Sequence, residues 1–293
     1  MEVNMLDFCN FANKANDWNF PVEEKPLTVE GVGKVEGKKA LVRTDNNTIV
    51  GVHSDNYKVL NHDDVVNAQY DAVKQANLSS DFEFKVTCLE GGKKLSIKVM
   101  FPDLTIEPMV GDIVNYEWNA FNSYDGMWAY QVEAQGNRLA CKNGMVSPTM
   151  LNRIWAKHTS SINVVGTAEH MLKSVEVFKN HREEWKHYNT VRCDSGRVED
   201  FFKGNVVNYG KGLKTVEDNY NKKQLSALVN HYGDYSRSLG NTKWAVYNAL
   251  THWSTHCEDT AVPEITARYR QDRVVKAMKS KAWDDIHKHR FAA

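Results

Sequence analysis

Apolar and polar positions alternate with a period near two through the first half of the chain and switch to a period near 3.6 in the second. Residues 39–53 predict a β-hairpin: ALVRT and TIVGVH are rich in β-branched residues, and Asp45-Asn46-Asn47 supplies the turn chemistry between them. Tyr57–Leu60 is a further extended piece. HDDVVNAQYDAVKQA then places acids in a first turn, followed by Val65, Val66, Ala68, Tyr70, Ala72 and Val73, which predicts an amphipathic helix starting at Asn61 or His62. The clearest hairpin is DFEFKVTCLEGGKKLSIKVMF, in which Phe82, Phe84, Val86 and Cys88 answer Leu95, Ile97 and Val99 across Glu90-Gly91-Gly92-Lys93. Its single apolar face predicts a half-buried antiparallel sheet. Further strands are expected at Leu104–Val110, Val114–Ser123, Met127–Ala134 and Arg138–Lys142, with a turn at Asn143-Gly144 and a strand-to-helix boundary at Met145–Pro148.

From Thr149 the helical period takes over. Residues 149–161, 167–189, 222–233, 242–256 and 269–288 predict helices, with Trp244, Val246, Tyr247, Leu250 and Trp253 lining the fourth. The fold class is therefore α+β: an N-terminal antiparallel sheet with one packed helix, followed by a C-terminal helical region. The expected domains are an arm at 1–38, a β-rich core at 39–148 and a helical region packed on it at 149–293.

Composition changes this picture little. Apolar and charged contents of 42% and 25% are ordinary for a globular protein. No apolar run approaches a membrane span, and the first residues lack the basic and apolar regions of a secretory signal. Five cysteines without CxxC spacing point to free thiols in a reducing compartment.

Charge changes it more. The 37 basic and 37 acidic residues cancel, but unevenly. Residues 1–137 hold 12 Lys+Arg against 21 Asp+Glu, and residues 138–293 hold 25 against 16. Such asymmetry suits an anionic partner for the basic half, contact between subunits, or neutralisation within one fold. Between 138 and 157 there are four cations, Arg138, Lys142, Arg153 and Lys157, and no acid, with Trp155 among them. Cations that follow phosphates and rings that stack bases are the residue types that grip single-stranded nucleic acid. Lys93 and Lys94, expected to project from a hairpin tip, complete a candidate nucleic-acid-binding set.

Other chemistry finds less support. His252 and His256 have the i, i+4 spacing of zinc ligands, but Trp253 stands where a zinc hydrolase carries Glu. Cys141 beside Lys142 lacks a sequence-placed base, and the glycine pairs at 31–33 and 210–212 make no phosphate-binding fingerprint. No catalytic residue, metal or cofactor is expected.

Three separated segments, TDNNTIVGVHSDNYKVLNHDDVV, CKNGM and NTKWAVYNALTHWSTH, together resemble a phage- and plasmid-borne protein family catalogued as a domain of unknown function. The resemblance implies a mobile-element origin and a bacterial host cytoplasm, and carries over no catalytic residues. The expected order of hairpin, helix and curved sheet is also similar in topology to phage single-strand annealing proteins, which form rings around whose outside a cationic groove holds DNA; this is an analogy of fold. The expected function is a phage-encoded single-stranded DNA-binding protein, a homo-oligomer (a ring included), acting in recombination or replication, strand annealing included. The alternative is a protein-binding host-takeover or anti-defence factor without enzymatic activity.

Overall fold

A computed structural model describes residues 18–138, 143–145, 154–158, 167–207, 220–257 and 263–287. The chain is α+β, and it divides into two compact units. The first comprises residues 1–104, 116–134 and 151–176; the second comprises 105–115, 135–150 and 177–293.

The first unit opens with a three-stranded antiparallel sheet in the order β1 (Val22–Val29), β2 (Gly33–Arg43), β3 (Thr48–Ser54). The predicted Asp45-Asn46-Asn47 turn is present: Asn46 Oδ1 accepts from the Thr48 amide at 3.1 Å, and Asn47 takes a positive φ. Gly51 is required by close approach rather than by a turn. A Cβ there would lie 2.0 Å from the Tyr124 carbonyl oxygen, which itself accepts from His53 Nε2 at 2.6 Å.

Helix α1 (His62–Ala76) begins after Asn61, carries Asp63 and Asp64 in its first turn, and ends where Asn77 turns left-handed. It buries Val65, Val66, Tyr70 and Val73, the predicted stripe. The second sheet runs β4 (Glu83–Leu89), β5 (Lys94–Ile106), β6 (Val114–Ser123), β7 (Tyr130–Arg138), β8 (Asn143–Met145), with β9 (Ile154–Ala156) also on β7. β4 and β5 form the expected antiparallel hairpin, with Val86 opposite Ile97 and Cys88 opposite Leu95. Trp118, wholly buried on β6, donates its indole N–H to Gln69 Oε1 at 2.9 Å, and Gln69 donates on to Tyr130. The indole's polar edge is thereby satisfied inside the core.

Two local expectations change. Asn143-Gly144 is not a turn: these residues stand in β8, opposite Arg138 and Asn137. Ile154-Trp155-Ala156, read as helical, forms β9 against residues 130–132 of β7. Ile154 and Trp155 are β-branched and aromatic, which suits a strand, and sheet pairing overrides a short helical spacing.

The second unit is built around α5 (Lys243–Thr255), which touches α4 (Lys222–Leu239), α6 (Pro263–Met278) and β8. Every residue of α5 is buried except His252 and Thr255. A helix buried on nearly all sides belongs at the centre of a unit. Thr242 caps it, its side chain accepting from the Ala245 amide. Inside, Asn248, Thr251 and Ser254 donate from their side chains to carbonyls one turn back, while Asn248 Oδ1 is buried without a partner among the described residues. The remaining helices are α2 (Thr167–Thr190), which spans both stretches of chain, α3 (Ser195–Phe201) and α7 (Lys281–Asp284).

Two stability effects follow. Gly51→Ala forces a methyl into a backbone oxygen and is expected to cost about 2 kcal/mol or more, read by denaturant unfolding; an unchanged midpoint would contradict the close approach. His62 is fully buried, donates Nε2–H to the Gly92 carbonyl at 3.1 Å, accepts from Asn122 at Nδ1, and stacks on Tyr124. Burial pushes its pKa down to about 3 against the weaker upward pull of the Gly92 bond. Its stabilising effect is complete above its unfolded pKa near 6.5 and is lost as pH falls towards 3, on the order of 2 kcal/mol by pH 5. Thermal unfolding is expected to soften across that window and His62→Gln to flatten the profile; identical profiles for the two proteins would contradict a neutral buried His62.

Candidate functional site

Three cations are buried among the described residues: Lys94, Arg138 and Lys243. A buried charge without a partner costs several kcal/mol, so what each one meets decides its role.

Lys94, 3% exposed, belongs to the first unit and does not project from the hairpin tip as expected. It starts β5, points inward and forms ion pairs with Glu90 at 2.5 Å and Asp125 at 3.0 Å. Burial works against its ammonium, but the two carboxylates outweigh that and raise its pKa. Arg138, in the second unit, is likewise turned inward, 5% exposed, with Nε 2.5 Å from Asp112 Oδ1. Asp112 is itself buried, and its second oxygen accepts from the Trp244 indole at 2.8 Å. A guanidinium held this way is neutralised by its own chain and offers no charge to an external phosphate.

Of the other expected binding residues, Lys142 and Arg153 lie outside the described residues, as does Cys141. Lys93 is half-buried, and its carbonyl accepts from the Tyr124 amide. Trp155 is 52% exposed on β9, and the Lys157 ammonium lies 5.8 Å from its ring centre. The structure thus brings two of the seven together, Trp155 and Lys157, both in the first unit. Trp118 and Trp128 are core residues.

The segment from β3 into α1 also assembles a ring stack in the first unit. His53 lies on Tyr57 at 3.7 Å and Tyr57 on His158 at 5.0 Å, both pairs nearly parallel. Tyr57 donates to the Ser123 carbonyl, and burial holds its phenol well above the usual range. In the second unit His231, His252 and His256 stack with centroids 4.1 and 4.3 Å apart, and Tyr235 meets His252 Nδ1. No group of three or more metal-ligating side chains suited to an ion occurs among the described residues. Cys88, Cys193 and Cys257 form no disulfide among the described residues, and burial pushes the Cys193 thiol up to about 11, away from reactivity.

The third buried cation was not singled out from the sequence. Lys243 is the first residue of α5 and 7% exposed. Residues 191–193 pair with 241–243: the Lys243 amide donates to Val191 O, the Cys193 amide to Asn241 O, and Arg192 bridges Thr242. This brings Lys243 and the exposed Arg192 to one cavity of about 930 Å³ within the second unit, lined also by Glu184, Tyr188, Trp283 and Asp284. The ammonium lies 4.4 Å from the Trp283 ring centre and 5.1 Å from that of Tyr188. No carboxylate lies within ion-pair distance of it among the described residues. Burial lowers its pKa, opposed in decreasing order by the fields of Asp284, Cys193, Glu184 and Asp285. Glu184 is already engaged: burial pushes its pKa up, but bonds from His181 at 2.6 Å and Tyr188 at 2.5 Å hold the carboxylate below its ordinary value. The signal that marks Lys243 in the sequence is its place in KWAVYNALTHW, where it stands on the side of Tyr247 and Leu250 and away from the polar side carrying Asn248, Thr251 and His252.

Residues 49–283 match the family described as a domain of unknown function, DUF932, and the chain belongs to that family. No curated protein and no solved structure gives a significant match. Among the described residues no helix is long and apolar enough to cross a membrane.

The three buried cations make a contrast that unfolding measurements resolve. Asp112→Ala removes the Asp112 carboxylate from the buried Arg138 and is expected to cost about 3–5 kcal/mol. Lys243→Met removes a charge that has no ion pair. Because burial depresses the folded-state pKa of Lys243, the group is most favourable to folding above its unfolded pKa near 10.4 and becomes unfavourable as pH falls through the folded value. At neutral pH the methionine variant is therefore expected to unfold at an equal or higher temperature. A loss for Lys243→Met as large as for Asp112→Ala would contradict the difference between the two sites.

Proposed function

We propose that this protein binds single-stranded nucleic acid and performs no bond chemistry, with Trp155 and Lys157 as its described contact. The observation that carries the reading is the half-exposed Trp155 ring on β9 with the Lys157 ammonium beside it. A ring open to solvent offers a stacking face for any base, and a lysine next to it offers a charge for the adjoining phosphate; stacking of this kind contributes about 1–3 kcal/mol per base. The contact surface is narrower than the acid-free run from 138 to 157 suggests, because Arg138 is consumed inside its own unit. Strand annealing, homo-oligomer formation and a place in phage recombination or replication belong to this proposal as its finer parts.

A second reading, a protein-binding factor, draws on one observation. Val29, Val32, Ile49 and Val52 of the three-stranded sheet and its first turn are exposed, and residues 23–28 and 33–38 bury little. Exposed apolar side chains gathered on one sheet suit a protein partner better than a polyanion.

Fluorescence anisotropy with a labelled oligothymidine separates the two. Trp155→Ala is expected to weaken binding about tenfold. Lys157→Glu is expected to weaken it and to lower the slope of log affinity against log salt by about 0.7, the share of one single-strand phosphate contact. Binding that is absent in the parent protein, or unchanged in both variants, would overturn the nucleic-acid reading. Recovery of a host protein after nuclease treatment, lost in Val32→Asp, would favour the second.

A further inference from the structure

We infer that the cavity of the second unit is a binding site for a small phosphorylated molecule, with Lys243 as its central cation. The site is separate from Trp155 and Lys157, and the inference does not rest on the nucleic-acid reading.

Three features converge on an oxyanion. Lys243 is more than nine-tenths buried and lines a cavity, and its ammonium has neither a hydrogen-bond acceptor nor an ion pair among the described residues. The other two buried cations each hold a carboxylate, so this fold neutralises a cation where it has no opening to serve. The Tyr188 and Trp283 ring faces hold the ammonium in place without neutralising it, since a ring quadrupole attracts a cation but brings no net charge.

Further donors stand on the same wall. Arg192 comes to the rim through the backbone pairing that also places Lys243, and its planar fork suits two oxygens of one group. His187 and His287 line the cavity as well. A lysine, an arginine and two imidazoles offer more donors than a carboxylate has oxygens to fill, and they match a tetrahedral phosphomonoester better. The acids present do not remove the site. Glu184 is tied to His181 and Tyr188. Asp284 is exposed and beyond ion-pair distance of the Lys243 ammonium. The volume of about 930 Å³ lies within the span of ordinary ligand pockets and leaves space for an organic body beside the anionic head.

A free metabolite and the end of a nucleic-acid strand both carry such a phosphate, and titration calorimetry on the full chain distinguishes these sources. The probes are inorganic phosphate, thymidine 5′-monophosphate and a 5′-phosphorylated oligothymidine with its unphosphorylated counterpart. Thymidine monophosphate is expected to bind, inorganic phosphate to compete with it, and Lys243→Met to weaken both about tenfold or more. Arg192→Gln, at an exposed position that carries no folding risk, is expected to weaken them about threefold. Trp155→Ala is expected to change neither, which keeps this result independent of strand binding. No binding of either small probe up to about 10 mM, or binding untouched by both Lys243→Met and Arg192→Gln, would overturn the assignment. A response to the phosphorylated oligothymidine alone would overturn the small-molecule source.

Discussion

The cost of taking a cation out of water governs which charges of this protein can act on anything outside it. Arg138 comes from a stretch with no acid beside it in the sequence and Lys94 follows Glu90 by four residues, and each is met in its own unit by a carboxylate from elsewhere in the chain, Asp112 for Arg138 and Asp125, with Glu90, for Lys94. Once paired and enclosed, they hold strands and loops in register and are spent as binding groups. Lys243 is enclosed to nearly the same degree and is left facing a cavity. The difference in counter-charge separates a structural cation from a receptive one.

Much of the fold was legible because periodicity reports burial directly. The 82–101 hairpin, α1 and α5 all follow from it. The candidate site was less legible, for a definite reason. A run of residues without acids was taken as a ridge of free charge, but a counter-ion need not be close in sequence: Asp112 stands 26 residues before Arg138 and Asp125 31 after Lys94. Trp155 was read as helical and is on a strand, because a three-residue segment carries too little pattern to outweigh pairing with β7. Lys243 is hard to see in the sequence because it opens a helix whose apolar stripe dominates the pattern. Its position on the side of Tyr247 and Leu250, away from Asn248, Thr251 and His252, is the informative feature.

The two units use aromatic residues in different ways. In the first, Trp118 and Tyr124 fill the core while their polar atoms complete hydrogen bonds, and Trp155 stays outside on a short strand. In the second, Trp185, Trp244 and Tyr247 form the interior around α5, and Tyr188 and Trp283 turn ring faces toward a lysine. A stacking ring in one unit and a ring-held cation in the other suggest two separate capacities, an extended polyanion and a compact one. Membership of DUF932 supplies neither, since that family has no assigned function.

Residue-resolved amine labelling at neutral pH, read by mass spectrometry with and without phosphate, tests the division of the buried cations most directly. Lys157 should react quickly and Lys94 hardly at all. Lys243, open to the cavity and with its pKa lowered, should react measurably and be protected when phosphate is present. A Lys94 as reactive as Lys157, together with a Lys243 that is inert or indifferent to phosphate, would contradict it.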